Sequence, residues 1–161
     1  MSITTSTTLE SFFASMVTRI QTQIPATIAS TRIFVVDRLT LQSGVVPSIQ
    51  IEPLNLTTIG ENSGMNAMVL EYRIHVVVRV ELDLGKRDTK RLLMDGSTGV
   101  LPRGAFPLAF EVAKTLAGFD PSAGVDAQVL LRVENGQHDD IEGLASAFAQ
   151  FRTMIRTVSD A

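Results

Sequence analysis

The chain has no cysteine and no tryptophan, and only one tyrosine and two histidines among its 161 residues. Without cysteine there are no disulfides, no thiolate metal ligands and no cysteine nucleophile, although either redox compartment remains open. Charge is also scarce, at 19% of residues, while 45% are hydrophobic. The surface must therefore carry many neutral polar or apolar side chains, which suits a subunit whose faces become buried. A formal charge of −3 argues against a whole-surface grip on nucleic acid, which needs a clearly basic domain. No apolar run approaches the roughly eighteen residues of a membrane span, and residues 1–8 are rich in Ser and Thr with neither a basic nor an apolar block. The expectation is a protein that is soluble and cytoplasmic when made, with one domain over residues 1–161 and a flexible stretch at 1–6.

What is present begins with a long alternation. Leu70, Tyr72, Ile74, Val76, Val78, Val80, Leu82 and Leu84 interleave with Glu71, Arg73, His75, Val77, Arg79, Glu81 and Asp83. Period two over residues 70–84 predicts one half-exposed antiparallel strand spanning about 50 Å at about 3.3 Å per residue. Such a strand overhangs a small core, and its polar row is better suited to reaching a neighbouring subunit than to catalysis. Glu71, Arg73, His75, Arg79 and Glu81 are accordingly the candidates for a subunit interface or a lumen lining.

Elsewhere the pattern is conventional. Thr7 with Glu10 forms a capping box, after which Leu9, Phe12, Phe13, Met16, Val17, Ile20 and Ile24 make one apolar helical stripe that Pro25 ends. Residues 33–36 read as a strand, and so do residues 48–52, whose flanking Pro47 and Pro53 suggest a sheet edge. Residues 55–66 read as a contact loop, and a second long connection covers 85–104. Pro107 opens a second helix that Gly118 closes, and residues 128–134 and 148–158 read as the last strands. Strand runs separated by two helices predict an α+β fold: a largely antiparallel sheet, two helices on one face, and one long protruding strand.

Candidate chemistry is thin. His75 has no orienting carboxylate near it on its own strand, so it reads as a solvated or interface residue rather than a general base. His138, Asp139, Asp140 and Glu142 form the only His/carboxylate cluster, but they follow the turn pair Asn135-Gly136 and read as an exposed hairpin loop. Ser97 lacks the spacing of a nucleophile elbow, and the segment after Gly104 lacks the lysine of a phosphate loop. Lys86, Arg87, Lys90 and Arg91 are candidates for contact with a partner or with DNA phosphates. No cofactor is expected; a small metal-dependent hydrolase at His75 or at residues 138–142 is the alternative from a different class.

The succession of elements resembles a known family. A capped N-terminal helix over 9–24, a Pro-flanked strand over 47–53, the long strand over 70–84, a helix ending Leu116-Ala-Gly-Phe-Asp-Pro121 and a final strand over 150–157 look like tail-terminator proteins of long-tailed bacteriophages, of the lambda and Mu types. The resemblance covers nearly the whole chain and rests on order rather than on an invariant motif, so no family residue carries over as a named site. It implies a non-enzymatic virion protein at the head-proximal end of the tail, assembled in the host cytoplasm. The family's homohexameric ring caps the tail tube, stops its polymerisation and offers a head-joining surface. Partners would be other copies of the chain, the tail-tube protein and a head-completion or connector protein, with DNA only as passing cargo and no membrane. A head–tail connector is the alternative within the same class.

Overall fold

The computed structural model describes residues 5–24, 33–36, 48–59, 65–79, 105–121, 125–136 and 144–158. Helix α1 (Thr5–Gln23) and helix α2 (Ala105–Leu116) accompany strands β1 (Ile33–Val35), β2 (Ser48–Ile59), β3 (Met65–Arg79), β4 (Val129–Asn135) and β5 (Leu144–Val158). The strands form one five-stranded sheet in the order β1-β2-β3-β5-β4. Only the short β1–β2 pair is parallel; the rest is antiparallel. This is the expected α+β architecture.

The stripe on α1 does what its spacing requires. Phe12, Met16, Ile20 and Ile24 are buried in one cluster with Leu108, Val112 and Leu116 of α2. Beneath them lies the inner face of the sheet, with Ile49 and Ile51 of β2, Leu70, Tyr72, Ile74 and Val76 of β3, and Ala147, Ala149, Phe151 and Ile155 of β5. Small alanines on β5 let the helices approach, and the aromatic rings fill the middle. Tyr72 stacks on Phe151 with centroids 5.4 Å apart and meets Phe12 edge-on at 5.6 Å. Gly118, at φ +77°, ends α2 in a conformation that glycine adopts without strain.

α1 begins at Thr5, so residues 5 and 6 are helical and Thr7 lies inside the helix instead of capping it, and the last strand begins at Leu144 rather than at residue 148; three further expectations change in detail. β3 has the expected great length, 15 residues, but begins at Met65, and residues 80–84 lie outside the described part. It also sits in the centre of the sheet, paired with β5 from Met65 to Arg79 and with β2 from Ala67 to Val77. Its backbone therefore offers no free edge to a neighbour, and its overhang is shared with β5. Second, Asn55 and Thr57 belong to β2 rather than to a contact loop, because pairing with Glu71 and Val69 recruits them. Third, Pro53 does not mark an edge strand along all of β2: β1 pairs only Ile49–Ile51, and Pro53 falls beyond that, at a register shift before Asn55, where a missing N–H is tolerated.

The one tyrosine is anchored by a buried polar network. Tyr72 donates its hydroxyl to Gln128 Oε1 at 2.6 Å, and Gln128 Nε2 donates to Thr153 Oγ1 at 3.1 Å and to the Asp126 carbonyl at 3.0 Å. Burial holds the Tyr72 phenol far above its ordinary ionisation range. Below about pH 10 the phenol is neutral in both folded and unfolded chains; above it, the unfolded chain ionises while the folded one does not, so stability falls with rising pH. Tyrosinate absorbance should thus stay absent past pH 10 and appear only with unfolding, a clean signal in a chain with one tyrosine and no tryptophan. Ordinary titration of Tyr72 in the folded protein would contradict the buried network.

Candidate assembly surface

The face of the sheet turned away from the helices carries the polar row of β3. Because register, not sequence neighbourhood, decides what faces what, each of these side chains gains partners from β2 and β5. Glu71 stands between Asn55 and Arg152, Arg73 between Glu52 and Gln150, and His75 between Gln50 and Phe148. The carboxylate that β3 itself does not provide for His75 comes from β2: Glu52 Oε1 lies 3.3 Å from His75 Nε2. His75 is only 5% exposed, so it is neither solvated nor a surface residue of this subunit; its ring packs 5.6 Å from Phe148.

Phe148 and Gln150 organise the arginines. Gln150 Oε1 accepts from Arg73 Nε at 3.2 Å and from Arg132 Nε, on β4, at 3.0 Å. Both guanidinium groups also lie over the Phe148 ring, at 4.7 and 5.9 Å from its centroid. Arg132 completes the row with an ion pair to Glu134 at 3.1 Å. One buried amide oxygen and one ring thus hold two like charges side by side, with Glu134 paired to Arg132 and Glu52 beside His75. The result is a charged mosaic that joins side chains of β2, β3, β5 and β4 on one face of the sheet. Among the described residues no group of three His, Asp or Glu side chains could hold a metal ion, and residues 138–142 lie outside the described part.

Of the sequence candidates, Glu71, Arg73 and His75 are therefore brought to one face. Arg79 ends β3, while Glu81, Lys86, Arg87, Lys90 and Arg91 lie outside the described residues. Sequence reasoning missed Glu52, Arg132, Phe148 and Gln150, whose roles depend on pairings across as many as 77 positions.

It also missed the free edge. β4 ends the sheet, and among the described residues nothing pairs its outer side. Val129, Leu130 and Leu131 are 48%, 37% and 42% exposed there, around a register shift between Leu130 and Arg132. Three consecutive exposed aliphatics on an open edge invite strand addition, which isolated proteins usually prevent with lysine or proline. Gly136 continues this edge strand, donating its N–H to the Ser146 carbonyl at 2.8 Å; a side chain there would collide with that of Ser146.

The α+β sheet thus carries a charged mosaic on one face and exposed aliphatic side chains along its β4 edge. No protein-family model matches the chain, and no curated protein matches it. Among solved structures its fold is similar to that of a chain in the "Virion of native gene transfer agent (GTA) particle". The likeness covers 92% of this chain and 96% of that one, with a TM-score of 0.60 at 14% identity. No described helix is long and apolar enough to cross a membrane.

Proposed function

We propose that the chain is a non-enzymatic virion protein, a tail terminator that forms a homohexameric ring on the last ring of the tail tube, stops tube growth and presents a surface for head joining. The observation that carries this reading is the likeness, over nearly the full length of both chains, to a chain of a virion particle. The unpaired β4 edge supports it, because a head-to-tail contact that closes on itself satisfies such an edge in every copy. Subunit contact along β4 extends onto the Arg73–Phe148–Arg132 mosaic, whose alternating charges set the register between neighbours. With −3 per copy, the ring repels rather than holds DNA passing through it.

The test is tube growth. Tail-tube protein polymerising in the presence of the chain should stop at finite length with a ring on one end of each tube. Tubes of unchanged length with bare ends would remove the terminator reading, and binding to a head connector alone would favour the neck-adaptor alternative.

A further inference from the structure

The two edges of the sheet are β1 and β4, and the register places them at one height. Val35 pairs with Ile51, Ile51 with Ile74, Ile74 with Ala149 and Ala149 with Val133. By the same steps Ile33 is level with Asn135, through Ile49, Val76 and Ala147. The backbone groups match as well. Val36 donates its N–H to the Ile51 carbonyl, and Gly136 donates its own to the Ser146 carbonyl, so both residues face into their own sheet. Backbone groups alternate in direction along a strand. Ile33 and Val35 therefore turn theirs away from β2, and Val133 and Asn135 turn theirs away from β5. Among the described residues no strand pairs either outer side. Val35 is 43% exposed, and the exposed Leu130 and Leu131 flank the open stretch of β4.

β1 runs parallel to β2, and every later step across the sheet is antiparallel, so the two edge strands run in opposite directions. Rotation about an axis along the strands changes neither the direction nor the height of a strand. A head-to-tail contact closes into a ring only when its operator carries no translation along that axis; otherwise copies add into a filament. Edges of opposite direction at equal height meet this condition. We infer that β4 of one copy adds antiparallel to β1 of the next, with Val133 opposite Val35 and Asn135 opposite Ile33, each pair exchanging its backbone N–H···O bonds. This joint rests on the closed ring proposed above and names the surface that receives β4. A two-fold contact between two β4 strands would also be antiparallel, but it would leave β1 open in both copies. Only the head-to-tail joint satisfies both edges at once.

Because the chain has no cysteine, disulfide trapping reads the joint directly. Opposed residues of a hydrogen-bonded antiparallel pair have Cα atoms about 5.5 Å apart, inside the span that a disulfide bridges. Within one copy Val35 and Val133 lie at opposite edges of the sheet, about 19 Å apart at about 4.8 Å per strand, so only a contact between copies links them. Val35→Cys protein mixed with Val133→Cys protein under mild oxidation should form a disulfide dimer about tenfold or more faster than either variant alone. The same excess should hold over either one mixed with Lys114→Cys, an exposed position on α2. Trapping is read in the protein alone and on tail tubes. Val133→Cys linking to itself as fast as to Val35→Cys would replace the joint with a two-fold β4 contact, and no preferential disulfide in either setting would overturn it. Capped tubes without the disulfide would remove this joint and leave the terminator reading standing. The disulfide with uncapped tubes would support the joint and remove that reading.

Discussion

A Phe151→Ala protein is expected to lose about 3–5 kcal/mol of folding stability, a large share of the roughly 5–15 kcal/mol that holds a domain of this size. Phe151 is wholly buried, stacked on Tyr72 and opposite Leu130 in the register. It stands where the sheet meets the helices, and its neighbours Ala147 and Ala149 cannot fill the space it leaves. Removal also frees the Tyr72 ring, which anchors Gln128 and Thr153. The matched control is Phe110→Ala on α2: the same chemical change at a side chain 54% exposed should cost no more than about 0.5 kcal/mol. Urea unfolding of the two variants separates them. Similar midpoints would mean that the helices do not seal this face of the sheet.

On the proposed contact along β4, lysine at both Val129 and Leu131 should weaken association between copies by about a hundredfold or more, while the subunit's own stability changes little. Both side chains are nearly half exposed on the open edge, so neither substitution opens a cavity in the core. Two central aliphatics of an interface are together worth about 3–4 kcal/mol, the equivalent of two to three decades in affinity. Charge on an edge strand also opposes addition of another strand. Sedimentation across concentration, with thermal unfolding as the fold control, reads both quantities. Unchanged association with intact folding would move the subunit contact away from β4.

Local signals in the sequence account for most of the elements. The apolar spacing from Phe12 to Ile24 places α1 and its buried stripe, and Gly118 ends α2 where a left-handed residue is needed. The alternation of β3 gives its length, but the visible pattern starts at Leu70, because Asn66 and Ala67 are poor strand formers and interrupt it. With Met65 they join the strand through pairing with Val158, Thr157 and Arg156. Asn55 and Thr57 look like loop residues because the stretch 55–66 is rich in Thr, Gly, Asn and Ser, and they are recruited by β3. What no local pattern carries is strand order. A central β3 and an outer β4 reverse the roles that length alone suggests, since β3, which at 15 residues equals β5 in length, is paired along both its sides. The Glu52–His75 contact and the two arginines converging on Gln150 follow from that order, and so became visible only with the register.

The most direct measurement of the central claim is the mass of the protein by light scattering on a size-exclusion column across concentration, alone and mixed with assembled tail tubes, with negative-stain images of any large species. Six copies of a 17.5 kDa chain give a closed ring of about 105 kDa, in solution or on tube ends, and the lysine variant of β4 should lack it. A monomer at every concentration that also leaves tube ends bare would contradict the account.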